Sequence, residues 1–372
     1  MPVIHALRLT DFRSYAALDL PLDGRPVVLF GPNGAGKTNL MEAVSLLSPG
    51  RGLRGAKPDA LARLTPDGSA GAWGVVASLA GNEDTLKLAV GQVPEYPRRR
   101  TMRIDGKAVT GPAMAALMPM MWLTPAQDRL FTGPASDRRK FLDRFCLSYA
   151  PNHGSAFLRY EKARAQRNRL LSDGIDDAAW YKALEKDMAH YGAQVARARA
   201  QTVTMLRAEI EDQEDGAFPK ADITLEGEAE AELEAGLPLA AAEDNIAARL
   251  LADRPQDRLA GRTRRGVHKS DLRVYHAPKN MPAETCSTGE QKALLIGLVL
   301  AQARAQSAHN PILLLDEVAA HLDALRRAAM IEALLDLGTQ AFLTGTDPEL
   351  FEAFAGRAQS FQVENGVLTP AK

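Results

Sequence analysis

Apolar residues alternate through the first thirty positions (Val3, Leu7, Leu9, then Leu18, Leu20, Leu22) around a turn-like Asp11-Phe12-Arg13-Ser14-Tyr15, which predicts strands of a mixed sheet. Val27-Val28-Leu29-Phe30 is a short continuous apolar run and predicts a buried strand. Strand-like stretches follow at 73–81 (WGVVASLAG), 85–91 (TLKLAVG) and 102–109 (MRIDGKAV), the last with an Asp-Gly hairpin signal. From about 137 to 213 the period lengthens. Trp180, Leu184, Met188, Tyr191, Val195, Ala198, Thr202 and Met205 recur at three- and four-residue steps, predicting one long helix whose stripe packs on other helices, preceded by a helix around Phe157 to Leu171. Residues 214–260 are Ala/Glu-rich and weakly periodic, with a turn and a helix near 240–253. Strand character returns at 272–278, followed by a helix at 289–306, a strand at Ile312 to Leu315, a helix at about 323–337 and a strand at Ala341 to Thr344.

Directly after the buried run, Gly31 to Thr38 read GPNGAGKT, a complete G-x-x-x-x-G-K-[ST] loop between a strand and a helix. Gly31, Gly34 and Gly36 let backbone N–H groups curl around phosphate oxygens, and the following helix points its positive end at the same anion. Lys37 reaches the β- and γ-phosphates in such a loop, the Thr38 hydroxyl ligates Mg²⁺, and Asn33 and Asn39 lie beside them. The ligand class is therefore a nucleoside triphosphate with Mg²⁺; the resemblances described below imply ATP.

A second apolar run, Ile312 to Leu315, ends in Asp316-Glu317, the form of a Walker B strand. Asp316 can hold the Mg²⁺ shell opposite Thr38, and Glu317 can polarise an attacking water, which makes Lys37 and Glu317 the catalytic candidates. Lys37 and Asp316 are 279 positions apart, so a large insertion separates the halves of the site. The expected organisation is an ATPase lobe from 1–122 and 262–372 with an inserted helical arm at 123–261. Ser287-Thr288-Gly289-Glu290-Gln291 opens an apolar helix 29 residues ahead of Asp316 and resembles the signature of ABC-type ATPases. That resemblance implies that Ser287, Gly289 and Gln291 complete the γ-phosphate site of a second subunit. His321-Leu322-Asp323 takes the place of the D-loop, and Thr346-Asp347 falls where transport ATPases carry a switch histidine.

Charge alters this picture only locally. The 45 Lys and Arg against 46 Asp and Glu leave a net charge of −1, which gives no bulk argument for nucleic acid. Basic clusters occur at Arg98-Arg99-Arg100 with Arg103, at Arg138-Arg139-Lys140, and at Arg262, Arg264, Arg265, His268 and Lys269, with an acidic stretch at Glu226 to Glu234. The first lies in a β-rich segment and could form a flat basic face, the candidate DNA-binding face under the resemblance described below; solvated surface runs are the alternative for each. Arg138-Arg139 lies at the root of the arm, where structural ion pairs are expected. Two cysteines, Cys146 and Cys286, supply neither a disulfide framework nor a zinc site and suit a reducing cytoplasm, Cys286 as a small buried residue. No apolar run reaches membrane-spanning length, and the first residues lack a signal-peptide pattern.

Several segments together resemble the RecF family of bacterial recombinational-repair ATPases, relatives of SMC heads: LRLTDFRSY, GPNGAGKTNLMEAVSLLSPGRGLRG, WLTPAQDRLFTGPASDRRKFLD, GRTRRGVHKSDL, STGEQKALL and ILLLDEVAAHLD. The family's Gly-Pro-His-Arg-Asp-Asp reads here Gly266-Val267-His268-Lys269-Ser270-Asp271. The resemblance implies an α/β ABC-type phosphate-loop ATPase head with an inserted helical arm lobe. It also implies ATP-dependent homodimerisation, DNA binding, slow DNA-stimulated hydrolysis, and action with RecR and RecO to load RecA at single-strand gaps. Arg13, Arg51 and Arg54 are its arginines for nucleotide phosphate, each with a surface carboxylate as the competing partner, and Gln127 sits near a Q-loop position. A transporter-type ATPase subunit and a nucleotide-gated scaffold with little turnover are the competing functions.

Overall fold

The computed structural model describes residues 3–65, 71–80, 85–93 and 95–371, apart from the side chain at 321. Of the expected strand at 73–81, the last residue lies outside the described residues. The strands are β1 (Val3–Phe12), β2 (Tyr15–Pro21), β3 (Val27–Phe30), β4 (Gly74–Ala80), β5 (Thr85–Val93), β6 (Tyr96–Ile104), β7 (Lys107–Ala108), β8 (Met120–Leu123), β9 (Ala221–Glu226), β10 (Asp271–His276), β11 (Met281–Pro282), β12 (Ile312–Leu315), β13 (Ala341–Gly345), β14 (Gln359–Glu364) and β15 (Val367–Ala371). The helices are α1 (Lys37–Ser45), α2 (Gly111–Leu117), α3 (Ala135–Tyr149), α4 (His153–Ser172), α5 (Ala178–Asp212), α6 (Glu228–Glu234), α7 (Leu239–Ala252), α8 (Arg254–Ala260), α9 (Thr288–Ala305) and α10 (Ala324–Leu337).

The chain divides into two compact units, one of residues 1–128, 215–218 and 295–372, the other of 129–214 and 219–294. The first holds two six-stranded sheets, ordered β2-β1-β4-β5-β6-β7 and β15-β14-β3-β13-β12-β8. The former is antiparallel throughout. In the latter β14, β3, β13, β12 and β8 run parallel and β15 returns antiparallel. Strands buried on both faces need continuous apolar runs, which is why Val27–Phe30 and Ile312–Leu315 show no alternation, while β4, with one core-facing side, alternates Val75, Ala77, Leu79 with half-exposed neighbours. Helix α1 lies within one continuous core. Its Leu40, Met41 and Val44 share that core with Leu7, Leu9 and Val75 of the antiparallel sheet and Leu29, Leu314 and Phe342 of the parallel one.

The second unit is built on α5, 35 residues and about 52 Å long, packed against α4 and α7 through Met188, Ala189, Ala193, Val195, Ala196, Tyr160 and Ile246. The expected stripe is shifted at both ends: Trp180 is 50% and Met205 39% exposed, and Tyr181 and Leu206 take the core-facing places one residue on. The segment 219–294 belongs to this unit because β9 pairs with β10 in antiparallel register and β10 with β11. Arg138 of α3 also forks onto Asp271 at 2.7 and 2.8 Å in a buried ion pair. The unit thus runs past residue 261, the expected end of the arm, because β9, an alternating ADITLE within the Ala/Glu-rich stretch, supplies β10 with its partner. Among the described residues no helix is long and apolar enough to cross a membrane.

Candidate nucleotide site

In the parallel sheet β13 lies between β3 and β12, so the phosphate loop after β3 and the carboxylates after β12 emerge at the same end, one strand apart. That is where open α/β sheets bind ligands. The loop's glycines are steric necessities at two places. Gly31 has φ 145°, and a Cβ there would stand 2.3 Å from the Val363 carbonyl oxygen; Gly36 has φ 118°, with Ser14 Oγ and Tyr15 Oη within 3.0 Å of the Cβ position. Helix α1 begins at Lys37 with no side-chain cap, leaving its first N–H groups to the loop's concave side.

Lys37 is buried, and its Nζ donates to the Gly31 (2.7 Å) and Pro32 (3.1 Å) carbonyl oxygens and stands 3.7 Å from Glu317. The Thr38 hydroxyl donates to Asp316 Oδ1 at 3.0 Å. Threonine and carboxylate from two distant motifs therefore converge as hard oxygen donors, a donor set suited to Mg²⁺. Asn39 donates to Ser14 Oγ at 3.0 Å and accepts from Arg54 at 2.8 Å. Asn33 and Gly34 are exposed at the loop tip.

Thr344, buried on β13, was not singled out in the sequence. Its hydroxyl donates to Asp316 Oδ1 at 2.7 Å and accepts the Glu317 N–H at 2.9 Å. Glu317 adopts φ 55°, a left-handed conformation that costs a non-glycine residue about 1–2 kcal/mol and here turns its carboxylate out of the strand direction. One hydroxyl thus orients the Mg²⁺-type carboxylate and pins the strained residue beside it. Threonine in a strand interior is common, so only the sheet order reveals its position. The other missed residue, Glu42, carried a signal: a lone carboxylate in the apolar run after Lys37.

Glu42 is fully buried and receives Arg13 through Nε (2.9 Å) and Nη2 (3.0 Å), with Arg54 3.6 Å away; Arg13 Nη1 donates to the Ala60 carbonyl. Arg13 is therefore placed as the partner of a buried carboxylate that would be strongly destabilising if left alone, and Arg54 and Arg51 are the exposed arginines of the segment. Gln127 accepts from the Thr124 N–H at 2.8 Å in a capping box at the end of β8. Asp347 is exposed and accepts from the Thr346 hydroxyl, while the Thr346 carbonyl receives the Gly31 N–H at 3.2 Å.

The signature segment lies in the second unit. Ser287 caps α9: its hydroxyl and N–H donate to Glu290 Oε2 at 2.8 and 2.9 Å, and Glu290 N–H returns to Ser287 Oγ at 3.4 Å. Lys279 and these Ser287 bonds hold the Glu290 carboxyl down to about 2. Gln291 is buried against the Cys286 carbonyl, whereas Ser287, Thr288 and Gly289 are exposed at the helix N-terminus. Asp323 caps α10, accepting from Arg326 N–H at 2.8 Å.

The basic cluster on β6 does not form one face. Strand alternation puts Arg100 on the same side as Met102 and Ile104, which pack on the core, and its guanidinium reaches the Gly50 carbonyl. Burial lowers the Arg100 pKa to about 10. Arg99, stacked on Tyr96 at 5.7 Å, and Arg103 point to the other side; Arg98, 90% exposed, is 3.9 Å from Asp59.

The model of the RecF/RecN/SMC N-terminal domain matches residues 3–369. A Mesorhizobium japonicum protein named DNA replication and repair protein RecF is 49% identical over 99% of this chain and 98% of its own length, and a Caulobacter vibrioides protein of the same name is 47% identical over 98% and 97%. The chain belongs to the RecF family. Its fold agrees with a solved structure described as the recombination mediator protein RecF-ATPrS in the RecFOR pathway (TM-score 0.83, 20% identity, 100% of this chain and 98% of that one). An SMC head from Pyrococcus furiosus follows at TM-score 0.56 and 15% identity, covering 100% and 96%. The RecF-family fold is thus an α/β ABC-type ATPase head, as the motifs implied.

Proposed function

We propose that this RecF-family chain is an ATP-dependent DNA-binding repair protein that dimerises on ATP and is reset by slow, DNA-stimulated hydrolysis in the cytoplasm. The observation that carries the reading is the convergence of Thr38, Asp316, Lys37 and Glu317 at one sheet end, all within hydrogen-bonding or ion-pair distance of a neighbour in the set. The phosphate loop and Lys37 hold the β- and γ-phosphates. Thr38 and Asp316 would hold Mg²⁺, which supplies neutralisation of phosphate charge. Glu317 orients and deprotonates the attacking water. Ser287 and Gly289 at the exposed start of α9 meet the γ-phosphate held by a second copy, with Asp323 as the D-loop residue.

A structural neighbour described as a recombination mediator in the RecFOR pathway supports RecR and RecO as partners; RecA loading at gaps is the outcome that the family resemblance implies. For DNA, the outward side of the antiparallel sheet offers a floor of small residues, Val76, Ser78, Ala89, Gly91 and Thr101, with Lys87, Arg99 and Arg103 exposed above it. Such a face suits phosphate contacts without base readout. The competing transporter reading loses to family membership, and Glu317, held in place by Thr344, favours turnover over a silent scaffold.

The test is a pair of variants. Lys37→Met abolishes ATP binding in calorimetry, whereas Glu317→Gln binds ATP, stops hydrolysis and accumulates ATP-bound dimers in sedimentation. Normal ATP affinity in the first or normal turnover in the second refutes the assignment.

A further inference from the structure

Two reverse turns grip the phosphate loop from its outer side. One joins β1 to β2: the Tyr15 hydroxyl donates to the Gly36 carbonyl at 3.0 Å. The other is the tip of the β14–β15 hairpin, where Glu364 pairs with Val367 and the two central residues have positive φ (Asn365 49°, Gly366 78°), the two-residue turn matched to strand twist. There the Gly366 N–H donates to the Ala35 carbonyl at 2.9 Å. The same strand, β14, passes its Val363 carbonyl over Gly31 at the start of the loop.

A trans peptide is planar, with C=O and N–H on opposite sides. Fixing the Ala35 carbonyl outward therefore directs the Gly36 N–H to the concave side, and fixing the Gly36 carbonyl does the same for Lys37 N–H. These are the donors a phosphate loop presents to its anion. Gly366 admits no side chain, since a Cβ would lie 2.7 Å from the Ser14 carbonyl oxygen.

We propose that Gly366, at the tip of the C-terminal hairpin, is a positioning residue for nucleotide: its N–H sets the Ala35–Gly36 peptide plane and so the phosphate-binding form of the loop. This rests on the phosphate-loop reading of residues 31–38. Moving the hairpin tip loosens the loop without touching Asp316, Glu317 or Thr344, so the effect falls on affinity and leaves the chemical step.

The experiment compares Gly366→Ala with Gly338→Ala, a glycine at φ 60° whose Cβ position is open, as the control for backbone strain alone. Calorimetric titration with ATP and ADP should show Gly366→Ala weakening both about tenfold, on the scale of one lost hydrogen bond and its strain, with kcat at saturating ATP within about twofold of wild type. Gly338→Ala should retain wild-type affinities. Unchanged affinity in Gly366→Ala, or equal losses in both variants, overturns the proposal. Lys37→Met run alongside separates the two ideas: ATP binding retained there defeats the phosphate-loop reading itself. If Gly366→Ala does not fold, amide exchange on the wild-type chain decides. The Gly366 amide should slow when ADP is added, and an unchanged rate overturns the proposal.

Discussion

Thr344→Val replaces one hydroxyl with a methyl of nearly the same shape at a position that is 1% exposed. Asp316 loses its 2.7 Å donor but keeps the Thr38 hydroxyl at 3.0 Å, so the cation-holding carboxylate stays close to its place. Glu317 fares worse. Its N–H loses its acceptor, which removes about 1 kcal/mol of net hydrogen bonding, and the left-handed conformation at φ 55° is worth about 1–2 kcal/mol to escape. Together these reach about 2–3 kcal/mol in favour of a relaxed Glu317 with its carboxylate turned away. At a factor of ten per 1.4 kcal/mol, kcat should fall about 30- to 140-fold. ATP affinity should stay within about threefold, because the phosphate loop is untouched. Steady-state ATPase assays with saturating ATP, paired with calorimetric Kd values, measure the split. A variant that melts earlier yet keeps wild-type kcat would show that Thr344 serves the fold alone.

Ser287→Arg should retain ATP binding by each monomer while losing dimerisation and hydrolysis together, and mixing it with Lys37→Met should restore at most about half of wild-type activity by site counting. Normal ATP-driven dimers in sedimentation of Ser287→Arg alone would refute a role in trans. Replacing Arg99 and Arg103 together should flatten the salt dependence of duplex binding by about 0.9 in log–log slope per lost phosphate contact, measured by fluorescence anisotropy. The same assay on Arg100→Ala should leave the slope unchanged, its guanidinium being committed to the Gly50 carbonyl. Glu290 titrates in the folded chain near 2, below its ordinary 4.5, so the cap it gives α9 is complete above about pH 4.5 and is lost as pH falls toward 2. Glu290→Gln should flatten the acid limb of a thermal-stability profile across that window, and an unaltered limb would count against the cap.

Where chemistry is written in contiguous residues, the sequence determined it unaided. The strand–loop–helix around Lys37, the carboxylates ending β12 and the Asp105-Gly106 hairpin are local patterns, and they stand where periodicity and turn chemistry put them. Membership of the RecF family was legible too, from the order of six short segments. Strand alternation, also a local rule, was available to separate Arg100 from Arg99 and Arg103. Other features depended on partners distant in the chain. Thr344 matters because β13 is inserted between β3 and β12, a neighbour relation set by sheet order. Arg13 meets Glu42 because a turn near the N-terminus lies over α1, an ion pair between residues 29 positions apart that local pattern does not reveal. Segment 219–294 joins the helical unit through the β9–β10 pairing and Arg138–Asp271, contacts across 45 to 133 positions. Local propensity is a property of neighbouring residues, whereas burial, ion-pair choice and peptide-plane orientation follow from which distant segments the closed core brings within a few ångströms.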